Sequence, residues 1–324
     1  MKILIGYCPP CKSYQIISYD FKEYLDKHNI PNWFIYRSTL AYPIMPVDYM
    51  IIFDSYIAQA LIQWLFKRYL AQKIVLWGDF EGTPNLDILS KGFMNQNITI
   101  FTSKYQEECF KSIGIYGKAI IPRAINPQRL KPTSNRLVNK KYFLWIAGVD
   151  TRQKPESRKG EQGLIKIWKK YVEKHPDEYL VAVTDYPLEL HLKNVIRFNF
   201  GDLNDNDIAT LYKYAKAYLY TSHCEGFGMP PLEAMYMKCP LIYLDTPAVN
   251  EFAVGLKVNT DFVRKIPSIH GGYYNYYKFN VDEYVNRMEM IENSYIWDIV
   301  SEAYKKSLNY TTDKIFDRLM EVLK

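Results

Sequence analysis

YLYTSHCEGFGMPPLEAM, residues 218–235, is the most informative stretch of the sequence. Tyr218–Thr221 reads as a short buried strand and Pro231–Tyr236 as a short helix, with Gly226 and Gly228 in the turn between them. Glycine lets backbone N–H groups approach a ligand closely, and a helix N-terminus adds unpaired donors and a positive dipole end. The stretch therefore predicts a strand–turn–helix unit that binds a ligand at its turn.

Two glutamates flank that turn. Glu225 stands at the exit of the strand, and Glu233 follows eight residues later in the helix. With a sharp turn between them, both carboxylates can face one pocket. Carboxylates accept hydrogen bonds from vicinal hydroxyls such as those of sugars and ribose. The pair is therefore compatible with a ligand that carries vicinal hydroxyls, but by itself it does not specify one.

Strand and helix patterns alternate through the first 125 residues, which predicts a parallel sheet covered on both faces. Helices are predicted at Ile57–Leu70 and Lys104–Ile113. The predicted strands are Ile3–Tyr7, Trp33–Tyr36, Tyr49–Phe53, Ile74–Trp77, Ile98–Phe101 and Ala119–Ile121.

The alternation restarts after a polar, proline-containing linker at residues 131–136. We predict an N-terminal domain at residues 1–135, a second domain at 136–300, and a helical tail at 301–324 that packs back on the first domain. Residues 269–277, with two glycines and four tyrosines, read as an exposed loop. The predicted elements of the second domain are Tyr142–Ala147, Gln162–Lys174, Tyr179–Thr184, Val195–Phe198, Asn204–Lys216, Tyr218–Thr221, Pro231–Tyr236 and Leu241–Leu244.

The whole string around Glu225 and Glu233 resembles the glutamate–seven–glutamate signature of the GT4 glycosyltransferases, a group 1 family. Asn194–Gly201 and Leu211–Ala215 resemble the strand and helix that precede this signature, and Ser157–Gly160 resembles the family's basic turn. The similarity extends over residues 74–255. It implies an α/β protein of the GT-B architecture, in which two doubly wound Rossmann-like domains face each other across a cleft.

The resemblance also implies an activity. The chain would be a retaining hexosyltransferase that takes a hexose from a UDP- or GDP-linked donor and gives it to a glycan, lipid or protein-linked acceptor. Glu225 would contact hydroxyls of the donor sugar, and Glu233 would hold the ribose. Backbone N–H groups of Gly226, Phe227 and Gly228 would also face the donor. A further donor-binding position, Leu232, would lie near the base.

Cations are expected at the donor diphosphate. Lys159 would neutralise it, aided by Arg152 or Arg158, because charge builds on the diphosphate as the sugar leaves. We expect no cofactor and no metal. The cations of the basic turn remove the need for a metal ion, and the sequence has no Asp-x-Asp motif of the kind that holds one. The donor phosphate would take the acceptor's proton on the face from which the leaving group departs. Carboxylates that hold the sugar and the ribose of one donor cannot flank its scissile bond, so the two glutamates are not the acid and base of a glycoside hydrolase.

The first domain departs from the family pattern. Gly6–Cys11 stands where a glycine-rich loop is expected, and Ile121–Asn126 where a Pro-His-Gly-like turn is common. Val75–Asp79 occupies the place of a histidine that faces the donor sugar. Asp79 is therefore a candidate catalytic residue, as an acceptor-side base or a sugar ligand. These departures concern the acceptor, whose identity stays open.

Charge is distributed unevenly along the chain. Residues 1–140 carry 17 Lys and Arg against 10 Asp and Glu, a net of +7, whereas residues 141–324 carry 24 against 25, a net of −1. A basic half indicates an anionic contact or a solubilising excess of charge. The amphipathic stretch Ile62–Leu70 could lie on an anionic membrane, although packing on its own sheet is the favoured interpretation.

Other classes of protein fit less well. No apolar run reaches the ~18–20 residues that span a bilayer, and no signal peptide is seen, so we expect a cytoplasmic protein with at most peripheral membrane contact. Cys8-Pro9-Pro10-Cys11 resembles a thioredoxin motif, but a thioredoxin fold would leave the second predicted sheet unexplained. The other cysteines are predicted to be core residues, and their spacing is not that of zinc ligands. A non-catalytic sugar-binding protein and a DNA-directed glucosyltransferase are the alternatives, although nothing resembles a nucleic-acid-binding motif.

Overall fold

The computed structural model describes residues 1–9, 12–38, 46–148 and 157–324. The chain forms two compact units. The first comprises Met1–Ala124, His270–Tyr274 and Tyr310–Lys324, and the second comprises Ile125–Ile269 and Asn275–Asn309. Each unit is built around one six-stranded parallel sheet.

The sheet of the first unit has the order β2-β1-β3-β4-β5-β6, and its neighbouring strands run parallel. Helices lie in most of the connections between strands, because parallel strands need crossover connections. The strands are β1 (Ile3–Tyr7), β2 (Asn32–Tyr36), β3 (Val47–Phe53), β4 (Ala71–Trp77), β5 (Ile98–Phe101) and β6 (Ala119–Ile120), and the helices are α1 (Lys12–Lys27), α2 (Ala58–Leu65), α3 (Ile88–Gln96) and α4 (Lys104–Lys111).

Both faces of this sheet are covered, so its strands are near-continuous apolar runs. All five residues of β1 are buried. One face packs on α1 and on the C-terminal helix, where Phe316 lies 5.1 Å from Phe21 between ring centroids and Tyr24 donates a hydrogen bond to Asp317. The chain thus returns to its first unit at Tyr310, nine residues after the start of the predicted tail.

The second unit repeats the plan with the order β12-β11-β10-β7-β8-β9. Its core is formed by apolar side chains from both the sheet and the helices, including Trp145 and Trp168. The strands are β7 (Tyr142–Ile146), β8 (Tyr179–Val183), β9 (Val195–Phe198), β10 (Tyr218–Tyr220), β11 (Leu241–Leu244) and β12 (Leu256–Val258), and the helices are α5 (Glu161–Lys174), α6 (Asp205–Tyr214), α7 (Met229–Tyr236), α8 (Val281–Glu289) and α9 (Ile296–Ser307); the helix that closes the chain is α10 (Thr312–Leu323). The predicted α/β class is confirmed.

Two local predictions were wrong. The expected loop at residues 269–277 is largely strand β14 (Tyr273–Phe279), which pairs with β13 (Thr260–Pro267). The glycines form only the turn, because Gly271 and Gly272 both have a φ of +86° that other residues disfavour. The tyrosines that follow favour extended backbone.

The helix predicted at Ile57–Leu70 is also shorter than expected. Helix α2 ends at Leu65, and a 3₁₀ turn covers Arg68–Leu70. Trp64 is buried on the sheet, which agrees with the favoured interpretation of this stretch, whereas Phe66 and Tyr69 are exposed. Among the described residues, no helix combines the length and apolarity needed to cross a bilayer.

Cysteine chemistry adds little to this architecture. Cys11, the second thiol of the thioredoxin-like motif, lies outside the described residues. Cys8, Cys224 and Cys239 are buried, and none of the described cysteines forms a disulfide. The described cysteines therefore act as small apolar residues of the two cores.

Candidate active site

The candidate site lies at the carboxyl edge of the second sheet, where β10 and β7 are neighbours. The strand order reverses there, since the chain continues from β7 to β8 and β9 on one side and later adds β10, β11 and β12 on the other. Loops that follow two such strands diverge and leave a crevice for a ligand. Glu225 follows β10, and the turn at residues 157–160 lies between β7 and α5, so both belong to this edge.

The basic turn is fixed by contacts on both of its sides. Glu161 accepts hydrogen bonds from the N–H and the hydroxyl of Ser157 at 3.0 and 2.5 Å. The hydroxyl of Thr221, just after β10, donates to the carbonyl of Lys159 at 2.8 Å. Gly160 has a φ of +71°, and a Cβ there would lie 2.1 Å from the Thr221 carbonyl. Only glycine therefore lets the turn pack against β10.

Glu225 is held by both cations of this turn. Arg158 Nη1 donates to Glu225 Oε2 at 2.7 Å, and Lys159 Nζ donates to Glu225 Oε1 at 2.5 Å. Glu225 is only 8% exposed. These three predicted residues form one charged cluster at the end of β10.

The protonation state of Glu225 follows from this cluster. Burial alone would raise its pKa, but the charges of Arg158 and Lys159 prevail and hold the pKa at about 2. The carboxylate is therefore ionised at any ordinary assay pH. Because the folded pKa is depressed, its contribution to stability is present above the unfolded value of 4.5 and is lost only as pH falls towards 2.

The loop between Glu225 and α7 is closely packed. Phe227 stacks on Phe252 with centroids 4.6 Å apart, so its ring belongs to the core. Gly228 has a φ of +103° and caps α7, and a Cβ there would lie 2.5 Å from a methyl of Val249. Gly226, Phe227 and Gly228, whose backbone N–H groups are predicted to face the donor, thus lie in a closely packed loop between Glu225 and α7.

Glu233 has a separate set of partners. The hydroxyl of Tyr212 lies 3.2 Å from Glu233 Oε2 and equally far from the carbonyl of Pro230. Burial raises the pKa of Glu233 to about 7, and the Tyr212 hydroxyl and the charge of Arg129 lower it by less. Near neutral pH this carboxyl is therefore divided between its protonated and ionised forms.

Leu232 and Arg152 are the two other residues that were predicted to bind the donor. Leu232 is fully buried, so its side chain packs inside the unit and only its backbone, in the first turns of α7, could approach a ligand. Arg152 lies outside the described residues. Of the two arginines predicted to aid Lys159, Arg158 is the one that the described structure places beside it.

One Asp-x-Asp triplet occurs in the chain, at Asp205–Asp207, but it is not of the kind that holds a metal. Asp207 and Asn204 cap the start of α6 reciprocally, and Asp205 forms an ion pair with Arg129 at 2.6 Å. Both carboxylates therefore have structural partners. Within the described residues, no group of three or more His, Cys, Asp and Glu is arranged to hold a metal ion.

Asp79 belongs to the first unit, where it follows β4. Arg123 donates from Nε and Nη2 to Asp79 Oδ2 at 3.2 and 2.9 Å, and Tyr14 donates to Asp79 Oδ1 at 2.8 Å. The Arg123 guanidinium also lies 5.1 Å from the centroid of the Tyr14 ring. Both carboxylate oxygens are thus engaged, which gives Asp79 an ion-pair role that the sequence did not predict.

Three residues of these clusters were not predicted from the sequence. Tyr212 contacts the carboxylate of Glu233, and Arg123 contacts the carboxylate of Asp79. His223, two residues before Glu225, donates its backbone N–H to the Arg158 carbonyl at 2.8 Å. No motif distinguishes the first two. His223 lies within residues 218–235, two residues before Glu225, and this position beside the predicted site is the signal that the sequence offered.

Comparison with known sequences agrees with this geometry. The profile of the family described as glycosyl transferases group 1 matches residues 153–259, which include both the basic turn and the two glutamates. ORF330 of Acidianus filamentous virus 2, a glycosyltransferase by name, is 24% identical over 72% of this chain and 71% of its own length. The O-antigen chain mannosyltransferase RfbU of Salmonella typhimurium is 35% identical over 26% of this chain and 24% of its own.

Comparison with solved structures shows the fold. Alr3699/HepE of Anabaena, solved in complex with UDP-glucose, superimposes with a TM-score of 0.68 at 17% identity. The match covers 100% of this chain and 99% of that one. TarM gives a TM-score of 0.61 at 13% identity, over 85% of this chain and 55% of its own.

Proposed function

Because this chain is a glycosyltransferase with the GT-B fold and a group 1 domain at residues 153–259, we propose that it is a retaining enzyme of the GT4 type. It moves a hexose from a UDP- or GDP-linked donor to an acceptor without a metal ion. The observation that carries the proposal is the cluster of Arg158, Lys159 and Glu225 at the point where the strand order reverses.

The cluster suits a donor that has both an anionic and a hydroxyl-rich part. The cluster has a net charge of +1, so a bound diphosphate can form ion pairs with Arg158 and Lys159 in place of the Glu225 carboxylate. Glu225, ionised throughout, then accepts hydrogen bonds from sugar hydroxyls. The two cations stabilise the negative charge that grows on the diphosphate as the glycosidic bond breaks, which lowers the barrier to transfer.

The remaining residues orient the donor. Glu233 binds the ribose, and the backbone N–H groups of residues 226–228 bind the sugar or phosphate oxygens. In a retaining transfer the acceptor hydroxyl attacks from the face that the diphosphate leaves, and a donor phosphate oxygen takes its proton. HepE, solved with UDP-glucose, and RfbU, named as a mannosyltransferase, support a nucleotide-linked hexose as donor. Metal independence rests on the two cations, which supply charge that a metal would otherwise bring.

A thermal-shift panel tests the donor class. We expect one family of nucleotides among UDP, GDP and ADP, and their hexose conjugates, to raise the melting temperature, because a ligand that binds only the native state stabilises it by mass action. The shift should be the same in EDTA and in Mg²⁺ or Mn²⁺, and the binding conjugate should be hydrolysed slowly. A shift that appears only with a divalent ion would contradict the metal-independent proposal. Binding without any hydrolysis or transfer would favour the non-catalytic alternative.

Donor binding should strengthen as pH rises through about 7. An ionised Glu233 accepts hydrogen bonds from both ribose hydroxyls, whereas the protonated form must first lose its proton. With a pKa of about 7, the dissociation constant should rise roughly tenfold for each pH unit below that value. The measurement is calorimetric titration with the nucleotide sugar between pH 5.5 and 8.5, since its diphosphate diester does not itself titrate in this range.

Glu233→Gln is the matched variant for that profile. It keeps the shape of the side chain but cannot ionise, so we expect weak, pH-independent binding. It also removes the stability cost of ionising a buried carboxyl. Because the folded pKa is raised, the stabilising protonated form is lost as pH rises through about 7, and the variant should melt higher than the wild type at pH 8. A pH profile of the variant that parallels the wild type would place the titrating group elsewhere.

A further inference from the structure

The β13–β14 hairpin lies outside the two six-stranded sheets. Its two strands pair with each other and form a sheet of their own. Isolated two-stranded hairpins are only marginally stable in water, so further contacts must hold such an element in place. Tyr276 of β14, a residue of the second unit, provides one of these contacts.

Tyr276 packs on His223. The ring centroids are 4.3 Å apart with an interplanar angle of 38°, and His223 is buried. His223 stands two residues before Glu225, in the segment between β10 and the charged cluster. The hairpin therefore contacts the segment that carries the candidate catalytic carboxylate.

The segment under Tyr276 is continuous with the basic turn. The N–H of His223 donates to the Arg158 carbonyl at 2.8 Å, and Arg158 Nη1 reaches the Cys224 carbonyl at 3.4 Å. Thr221 adds its hydrogen bond to the Lys159 carbonyl at 2.8 Å. Residues 221–224 and 157–160 thus form one bonded assembly, so a displacement of His223 would change the positions of both Arg158 and Glu225.

We propose that Tyr276 is a positioning residue, through which the β13–β14 hairpin holds His223 and so keeps Glu225, Arg158 and Lys159 in the geometry that transfer requires. This inference rests on the proposed function. The contact that matters is between the two rings, so phenylalanine can replace tyrosine but alanine cannot. Since misplacement by about 1 Å can cost on the order of 100-fold in rate, the effect should appear in kcat.

The kinetic test compares three variants. We expect Tyr276→Ala to lower kcat about 10- to 100-fold and to change the dissociation constant of the free nucleoside, which lacks the diphosphate, less than about threefold, because ribose binding at Glu233 is untouched. Tyr276→Phe should retain most of the activity. Tyr277→Ala is the matched control, since it removes a neighbouring ring that packs within the hairpin on Phe262, at a centroid distance of 5.9 Å.

A measurement without turnover separates this inference from the proposed function. Hydrogen exchange of the amides in residues 221–225 should accelerate in Tyr276→Ala and not in Tyr277→Ala. If the wild type transfers no sugar but this exchange pattern appears, the proposed activity fails and the positioning contact stands. Equal exchange and equal kcat in Tyr276→Ala and Tyr277→Ala would overturn the inference, and so would a Tyr276→Phe variant as impaired as Tyr276→Ala.

Discussion

Replacing Lys159 with alanine should lower kcat by about 100- to 1000-fold at saturating donor, with little change in the melting temperature. Removing one preorganised donor that faces developing charge typically costs a factor of this size. The fold should survive because Glu225, which is buried, keeps its second cation: Arg158 Nη1 remains 2.7 Å from Glu225 Oε2. The loss should therefore fall on the transition state, where the leaving diphosphate needs both charges.

The experiment measures initial rates of sugar transfer or donor hydrolysis over a range of donor concentrations. Lys166→Ala is the matched control, since Lys166 is an exposed lysine of α5, the helix that begins just after the basic turn. It removes the same charge without touching the cluster. A Lys159→Ala enzyme with wild-type kcat and only a raised KM would show that Lys159 binds the donor without helping it react, and the proposed leaving-group role would then be wrong.

Glu225 provides a second test of the same cluster. Glu225→Gln keeps the shape of the side chain but leaves Arg158 and Lys159 without their counter-ion. It should therefore bind the nucleoside diphosphate at least as tightly as the wild type while losing turnover of the sugar conjugate. If Lys159→Ala and Glu225→Gln change the affinity for the diphosphate in opposite directions, the cluster binds the diphosphate and is not a purely structural ion pair.

The sequence predicted most of what local pattern controls. The strands Ile3–Tyr7, Val195–Phe198 and Leu241–Leu244 have the bounds that were expected. Short apolar runs between helices leave few alternatives in a parallel sheet. The hairpin at residues 260–279 was missed because its glycines outweighed the extended preference of the tyrosines. In that segment the pairing partner, which a single stretch does not reveal, decides the structure.

The residues of the candidate sites also differ in how far the sequence could predict them. Glu225 and Lys159 are 66 residues apart, yet both could be assigned because each stands in a stretch that resembles a family motif. The environment of Glu233 could not be predicted, since its raised pKa depends on burial and on Tyr212, which is 21 residues earlier. Asp79 is the clearest case, because its partners Tyr14 and Arg123 are 65 and 44 residues away.

Asp79→Asn should lower the free energy of unfolding by about 2–4 kcal/mol, the second large effect that we expect. Arg123 is only 5% exposed, and its Nη1 has no hydrogen-bond acceptor among the described residues. Burial opposes the charge on this guanidinium, whereas the Asp79 carboxylate raises its pKa and stabilises it. Removing one partner of a buried pair typically costs ~3–5 kcal/mol, and the figure here is lower because 27% of the Asp79 side chain is exposed.

Urea unfolding measures this loss, with Asp313→Asn as the control in the same unit. Asp313 forms an ion pair with Lys27 in which both side chains are 61% exposed, so its removal should cost less than about 1 kcal/mol. The double variant Asp79→Asn with Arg123→Met removes both charges and should recover most of the stability. Such recovery would show that the single variant fails because Arg123 is left buried and unpaired.

Kinetics of the same variants decide whether Asp79 also acts on the acceptor, a role predicted because Val75–Asp79 stands where the family has a histidine. A base must hold or release a proton at the reacting hydroxyl, so its loss would lower kcat even when the double variant folds normally. An ion-pair partner of Arg123 acts on the fold, so turnover per folded molecule should return together with stability. Because both oxygens of Asp79 already accept hydrogen bonds from Tyr14 and Arg123, we expect activity to return with stability. A stable double variant with no turnover would instead assign Asp79 to the chemistry.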